Sequence, residues 1–223
     1  MIDLKKLDRQ LLKVEKPARY VGSELNSVLK NREDVNIRFA FAFPDVYEVG
    51  MSHTGMQILY GLLNSIDNVW CERVFAPWTD MEQIMRDNNI PLYGIESKDE
   101  LINFDIVGFT LQYEMSYTNI LNMLNLGNIP FKSKDRGNDM PLIIAGGPCA
   151  YNPEPLHDII DMFVIGEAEE ILPKLVKIYE EEKSKGLDKK SFLERAANLD
   201  GIYVPEFYDV IYNPGTYIPS KFA

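Results

Sequence analysis

Residues 37–50 read IRFAFAFPDVYEVG. Phenylalanines recur at every second position of the first seven residues, which is the period of a β-strand whose alternate side chains share a face. The stretch then continues into Pro44 and Asp45, residue types that favour turns. It therefore predicts a buried β-strand over residues 37–43, followed by a loop that leads into a helix.

Beyond this stretch, short apolar segments alternate with segments of helical periodicity. The later apolar segments are continuous, as expected for strands that are buried on both faces. The further predicted strands are Val69–Phe75, 106–111, 142–145 and 162–165. Alternation of this kind predicts an α/β fold, namely a Rossmann-like (flavodoxin-like), doubly wound parallel sheet of five strands with helices on both faces.

Composition divides the chain into three parts. Residues 1–34 are polar with apolar side chains at helical spacing, and they predict an N-terminal helical extension. Residues 35–184 hold the alternating strands and helices of the Rossmann-like domain. Residues 185–223 predict a short helix and a linker rich in tyrosine and proline. In the extension, the spacing predicts one or two short helices, around Leu4, Leu7 and Leu11 and around Leu25, Val28 and Leu29.

Bulk properties limit the class of function. The chain has 223 residues, 46% of them hydrophobic, and a net charge of −11, so it can form a full core but would repel a phosphate backbone. No apolar run reaches the roughly 18 residues that span a bilayer, and the N-terminus lacks an apolar signal segment. We therefore expect no membrane and no direct nucleic-acid partner. Two lone cysteines favour a reducing cytoplasm and, without a CxxxCxxC cluster, cannot hold an iron–sulfur cluster.

The candidate binding residues follow the predicted strands. In an open parallel sheet, ligands bind beyond the carboxyl ends of the strands where the strand order reverses, and glycines let them approach the backbone. In the order 2-1-3-4-5, the first, third and fourth strands are neighbours at that point. Their loops carry the predicted cofactor-binding residues, with one more at the start of the last helix: Asp45, Tyr47, Gly50, Ser52, His53, Thr110, Gln112, Gly146, Gly147 and Glu167. The alternative is that these loops are only tight turns.

These loops resemble the DxHxxG, SxL and GG elements of cobalamin-binding domains. Residues 45–50 (DVYEVG) match the first element, except that Tyr47 stands where the histidine would be. Residues 110–112 (TLQ) occupy the place of SxL, and residues 146–147 match GG. The resemblance implies a cobalamin-binding-type fold.

Longer strings are similar to the first domain of a family of uncharacterised radical SAM proteins. They are FPDVYEVGMSH at 43–53, NPEPL at 152–156 and VIGEAEE at 164–170, within a similarity that runs from about Pro17 to about Tyr208. In that family a barrel follows, whose CxxxCxxC cysteines hold a [4Fe-4S] cluster that binds S-adenosylmethionine. The resemblance implies that this chain is the cofactor-binding domain of a radical SAM enzyme of unknown substrate. Its partner would be the C-terminal radical SAM domain of the same parent chain. The cluster and S-adenosylmethionine would belong to that C-terminal domain.

Tyr47 bears on how cobalamin would bind. Some cobalamin-binding domains ligate cobalt through the DxHxxG histidine. The phenol of a tyrosine would be a weak replacement for that imidazole, because its pKa of about 10 makes the phenolate costly to form at neutral pH. The resemblance therefore implies either cobalamin held without a histidine or a fold that has lost cobalamin. His53 is a capping residue or a replacement ligand.

Three functions stay open from the sequence. The chain is a cofactor-binding module, a structural or interaction domain that binds no corrinoid, or a free-standing flavin or nucleotide binder. The last is disfavoured, since Asp45 and Glu48 would place negative charge near a phosphate.

Overall fold

A central sheet of six strands organises the computed structural model, which describes residues 2–186, 188–216 and 218–222; Met1, Leu187, Tyr217 and Ala223 lie outside the described residues. The strand order is β2-β1-β3-β4-β5-β6. The first five strands are parallel, and β6 pairs antiparallel with β5. The strands are β1 (Ile37–Phe43), β2 (Val69–Phe75), β3 (Ile106–Thr110), β4 (Leu142–Gly146), β5 (Met162–Val164) and β6 (Ile202–Tyr203), and a separate hairpin joins β7 (Val210–Tyr212) to β8 (Pro219–Phe222).

The predicted Rossmann-like order 2-1-3-4-5 is that of the five parallel strands. The predicted count of five strands is wrong, because the sheet has six. The additional strand, β6, is two residues long and lies in the segment that the sequence indicated as linker. So short a strand has no periodicity to read, and its place at the edge depends on pairing with β5.

Helices cover both faces of the sheet. The helices are α1 (Leu4–Leu11), α2 (Ala18–Val21), α3 (Tyr47–Met51), α4 (Thr54–Asn64), α5 (Thr79–Asn88), α6 (Tyr117–Leu126), α7 (Ala168–Ser184) and α8 (Lys189–Ala196). Buried side chains of α4, α7 and α8 pack on one face, and those of α1, α5 and α6 pack on the other. Within the described residues, no helix combines the length and the apolar character needed to cross a bilayer.

The first strand shows how sequence alternation builds the two layers. All seven residues of β1 are buried. Phe39, Phe41 and Phe43 belong to the core under α4 and α7, whereas Ala40 and Ala42 face the opposite core. The small alanines leave room for helices on their side, while the phenylalanine rings fill the space beneath α4 and α7.

Of the one or two helices predicted in the N-terminal extension, the first forms where expected. Helix α1 buries Leu7 and Leu11 in the core. The helix predicted around Leu25 and Leu29 is absent from this described segment, and Leu25 is fully exposed. Side chains of the domain take the backbone groups of Val28 instead: its N–H donates to Tyr60 Oη at 2.7 Å, and its carbonyl accepts from Trp70 Nε1 at 3.0 Å.

The outer edge of β2 is closed by polar groups from other parts of the chain. The N–H and carbonyl of Cys71 both bond to the side-chain amide of Asn64, each at 3.0 Å. The Arg73 N–H donates to the Glu96 carboxylate at 2.8 Å, and its carbonyl accepts from the Ile95 N–H at 2.9 Å. At the start of the strand, Lys30 Nζ donates to the carbonyl of Val69 at 2.6 Å. These contacts satisfy main-chain groups that an edge strand otherwise leaves unpaired.

Candidate functional site

A cleft of about 190 Å³ opens between α4 and α7 at the carboxyl edge of the sheet. Its floor is apolar and comes from β1, β3, β4 and β5. A second depression of about 290 Å³ adjoins it under the loops that follow β1 and β3. His53, Thr110 and Gln112 line both spaces, so the cleft and the depression meet at these three residues.

The floor of the cleft depends on a glycine in β3. A Cβ built on Gly108 would lie 2.8 Å from Cζ of Phe39, whose ring covers this position. Phe41 packs edge-on against Phe39, with ring centroids 6.5 Å apart. The result is an apolar floor of two edge-on aromatic rings and strand backbone between two helices.

The loops after β3 and β4 are tied together at the mouth of the cleft. The Leu111 N–H donates to the carbonyl of Gly146 at 2.7 Å, and the Cys149 N–H donates to the carbonyl of Leu111 at 3.1 Å. Gly147 makes this approach feasible, because its φ is +106° and a Cβ there would lie 2.9 Å from the Leu111 carbonyl oxygen. Beside this junction, Gln112 Nε2 donates to Thr110 Oγ1 at 2.6 Å.

His53 is the N-terminal capping residue of α4. Its Nδ1 accepts a hydrogen bond from the Met56 N–H at 3.1 Å, which satisfies one of the free donors of the first turn. The ring packs on Phe43, with centroids 5.4 Å apart. His53 therefore lies at the mouth of the cleft in an orientation fixed by the helix.

Among the other predicted residues of the loop after β1, two line the adjoining depression and a third is buried. Asp45 and Ser52 line the depression. Gly50 is buried, and a Cβ there would lie 2.3 Å from the ring of Phe75. Gly50 is thus required for packing α3 against β2, and it does not line either space.

Tyr47 points away from the cleft. Its hydroxyl donates to Glu24 Oε1 at 2.9 Å, and its ring meets Phe75 edge-on at 5.4 Å. Burial, together with the hydrogen bond to and negative charge of Glu24, raises the pKa of Tyr47 to about 12. The side chain therefore stays a neutral phenol that is engaged with the N-terminal extension.

The start of α7 brings a different residue to the cleft than the one predicted. Glu167 is the exposed N-cap of α7 and does not line the cleft. Its neighbours Gly166, Ala168 and Glu169 do. Successive side chains of a helix point about 100° apart around its axis. Moving from Glu167 to Glu169 therefore changes which side chain faces the sheet.

The structure therefore gathers most of the predicted set at one edge. The residues that line the cleft or the depression are Asp45, Ser52, His53, Thr110, Gln112, Gly146 and Gly147, and those that line neither are Tyr47, Gly50 and Glu167. Sequence reasoning missed the floor, which includes Phe39, Phe41 and Gly108. The alternation of β1 places its phenylalanines on one face, and this signal could have identified two of the three.

The cysteines offer no metal site. Cys71 is fully buried in β2, and burial raises the pKa of its thiol. Cys149 follows the Gly146–Gly147 turn, where partial burial and the nearby Glu114 carboxylate raise the pKa of its thiol. Among the residues that the structure describes, no group of three or more His, Cys, Asp or Glu side chains could hold a metal ion.

A larger depression, of about 360 Å³, lies at the opposite edge of the sheet. Its buried charges are Arg136 and Asp161, which pair with each other at 2.8 Å. Arg136 also donates to the carbonyls of Pro130, Phe131 and Ile159, so this pair fixes the loop before β4. These two buried charges therefore stabilise the fold.

The sequence that forms this edge can be compared with the sequences of known proteins. The sequence profile of the family described as "Radical SAM proteins, N-terminal" matches residues 55–205. The chain belongs to this family. The matched residues include β2 to β6 and the loops that carry Thr110, Gln112, Gly146 and Gly147.

One curated relative of this member of the radical SAM N-terminal family is an uncharacterized protein of Methanocaldococcus jannaschii, which is 35% identical over 85 residues. The matched segment is 38% of this chain and 18% of the relative, so the alignment spans less than a fifth of that protein. No solved structure matches the chain.

Proposed function

We propose that this chain is a cofactor-binding domain of a radical SAM protein and that its cleft receives a corrinoid. The observation that carries the proposal is the apolar cleft between α4 and α7, which opens at the carboxyl edge beside the Gly146–Gly147 turn. That edge is where open parallel sheets bind their ligands. Family membership supports a parent protein that uses a [4Fe-4S] cluster and S-adenosylmethionine, and we propose that both belong to another part of it.

The donor set decides how a corrinoid would be held. Tyr47 is a phenol bonded to Glu24, and Nδ1 of His53 accepts the Met56 N–H, which leaves the proton of the neutral imidazole on Nε2. We therefore expect neither side chain to ligate cobalt. The apolar floor suits the hydrocarbon part of a corrinoid, and the Gly146–Gly147 turn places backbone at the rim of the cleft. A corrinoid supplies a cobalt centre that can carry an alkyl group, and the residues of this chain would hold and orient it.

Spectral titration tests the proposal. We expect the absorbance of hydroxocobalamin to change saturably on adding the purified chain, while FMN gives no change because Asp45 and Glu169 lie where a phosphate would come. Ala168→Phe, at the wall of the cleft, should lower the affinity at least about tenfold by filling space. Ala197→Phe, on the exposed end of α8, is the matched control and should bind as the wild type does.

A second candidate function is a structural domain that keeps this fold without a corrinoid. The size of the cleft favours it: about 190 Å³ is below the roughly 300–1,000 Å³ of typical ligand pockets, and the Phe39 ring already occupies the floor. The first candidate holds better because the adjoining depression extends the space. Absence of any spectral change with hydroxocobalamin would establish the second candidate, and binding of FMN alone would favour a flavin domain.

The partner that we propose is the radical SAM domain of the same parent chain. Large apolar side chains are exposed at the carboxyl edge, at Val49 in α3 and at Tyr113, Met115 and Tyr151 in the segments that follow β3 and β4. Clustered exposed apolar residues mark surfaces that another protein unit covers. The net charge of −11 supports the absence of a nucleic-acid partner, and two free cysteines support a cytoplasmic location.

A further inference from the structure

The helix cap fixes the tautomer of His53. A neutral imidazole has one donor nitrogen and one acceptor nitrogen. Because Nδ1 accepts the Met56 N–H at 3.1 Å, the proton of the neutral ring must lie on Nε2. Nε2 is then a hydrogen-bond donor, and it has no lone pair to offer a metal.

This donor is held at the site and is not used by the protein. The ring is fixed between Phe43 and Gly55, where a Cβ would lie 3.0 Å from Cε1 of the histidine. Among the described residues, no hydrogen bond to Nε2 is present. His53 lines both the cleft and the depression, so a ligand there can approach this donor.

Gln112 supplies an acceptor at the same mouth. Its amide nitrogen donates to Thr110 Oγ1 at 2.6 Å, which orients the group. Thr110 is itself buried, so the pair is rigid. No partner for Gln112 Oε1 occurs in the part of the chain that the structure describes, and this oxygen is left as an acceptor.

We infer that His53 and Gln112 together recognise a primary carboxamide of the ligand. The carboxamide oxygen accepts from His53 Nε2–H, and its NH₂ group donates to Gln112 Oε1. Acetamide and propionamide groups rim the corrin ring, whereas a phosphate could only accept and would face Gln112 Oε1 unfavourably. This inference rests on the proposed function, and it makes His53 a specificity-determining residue and not a cobalt ligand.

Dicyanocobinamide is the probe, because it keeps the corrin carboxamides, lacks the nucleotide tail and has both faces of cobalt occupied by cyanide. His53→Asn is the variant, because asparagine is also a good N-cap, and its shorter side chain ends at the δ position and places no donor where Nε2 lies. We expect its affinity, measured by calorimetry, to fall about three- to tenfold, the loss of one hydrogen bond. Gln112→Met should lower the affinity by a similar factor. The double variant should lose less affinity than the product of the two single factors, because His53 and Gln112 contact the same carboxamide.

The controls separate recognition from folding and from ligation. His157→Asn changes the other histidine, which is exposed and lines neither the cleft nor the adjoining depression. This variant should bind dicyanocobinamide as the wild type does. His53→Asn should keep the thermal unfolding midpoint of the wild type. The cob(II)alamin complex should show no nitrogen superhyperfine splitting from the protein.

Several results would overturn the inference. They are an unchanged affinity of His53→Asn for dicyanocobinamide, a loss seen with hydroxocobalamin but not with dicyanocobinamide, or a superhyperfine splitting that disappears in His53→Asn. If the wild-type chain binds neither corrinoid, the proposed function itself fails and the inference falls with it. That outcome is distinct, because the other three require a wild-type complex.

Discussion

Glu24 connects three parts of the chain that are distant in sequence. Its carboxylate accepts hydrogen bonds from Tyr47 at 2.9 Å, Ser27 at 3.0 Å and Arg73 at 3.0 Å. Burial works against ionisation, but these hydrogen bonds and the charge of Arg73 lower the pKa of Glu24 overall. The extension is thereby fastened to the loop after β1 and to the edge strand.

We predict that Glu24→Gln weakens folding in a pH-dependent way. A lowered folded-state pKa means that the carboxylate contributes stability above its unfolded pKa of about 4.3, and that this contribution is lost as the pH falls through the folded-state value. At pH 7 the variant should lose about 1–2 kcal/mol of unfolding free energy.

Urea unfolding at pH 7 and at successively lower pH, down to about 3, measures this difference. The gap between variant and wild type should narrow as the pH falls below about 4.3. Glu33→Gln, at an exposed position, is the control and should follow the wild type at every pH. A gap for Glu24→Gln that is equally wide at pH 3 would contradict an ionised Glu24 in the folded chain.

At single positions, the sequence predicted which residues lie at the carboxyl edge, because their location depends on strand order. It missed the roles of residues whose side chains are fixed by tertiary contacts. Thr110 ends β3, and Gln112 and His53 lie in the segments after β3 and β1, so the switch-point rule located them. The direction of Tyr47 depends on Glu24, which lies 23 residues away, and no local pattern reveals that hydrogen bond. Gly50 looked like a ligand-approach glycine, but the constraint on it is the ring of Phe75.

Among the elements, α8 has more importance for the core than its position near the linker suggested. Phe192 on α8 is 1% exposed and packs edge-on against Tyr179 of α7 with centroids 5.3 Å apart. Leu193 and Ala196 are buried with it. The helix therefore completes the layer on the α4 and α7 face.

We predict that Phe192→Ala destabilises the chain by about 3–5 kcal/mol, because it removes a large buried ring and leaves a cavity. Chemical denaturation monitored by circular dichroism checks this. Leu12→Ala removes a side chain that is 85% exposed and should change the free energy of unfolding by less than about 0.5 kcal/mol. A similarly small effect for Phe192→Ala would mean that α8 is not part of the folding unit.

Long and strongly patterned elements were predictable, and short ones were not. The predicted bounds of β1 and β2 coincide with the structure. Strand β6 has two residues and exists only through pairing with β5. The helix predicted around Leu25 does not form. Side chains from β2 and α4 bond to the backbone groups of Val28 instead, and these tertiary contacts outweigh the local helical spacing.

For the whole molecule, the carboxyl edge is the surface where another domain would rest. Met115 is 82% exposed and Tyr151 is 75% exposed, on loops that flank the cleft. Helix α5 ends at Asn88, and the turn after it lies at the opposite edge of the sheet. Hydrogen exchange at the carboxyl edge and at the opposite edge of the sheet can thus be compared within one experiment.

We predict that the amides of residues 111–116 and 149–152 exchange hydrogen more slowly in the full-length parent protein than in this chain alone. Covering the apolar loops would exclude water from their backbone groups. The amides of residues 88–90 should exchange equally in both, which serves as the internal control. Equal exchange at all three segments would contradict docking at the carboxyl edge.

The closed outer edge of β2 has a consequence for self-association. Unpaired edge strands recruit strands from other chains and begin aggregation. Asn64, Glu96 and Lys30 already occupy the main-chain groups of β2 that an incoming strand would need. Any growth of the sheet across molecules is therefore directed to β6, where two residues offer little to hold a foreign strand.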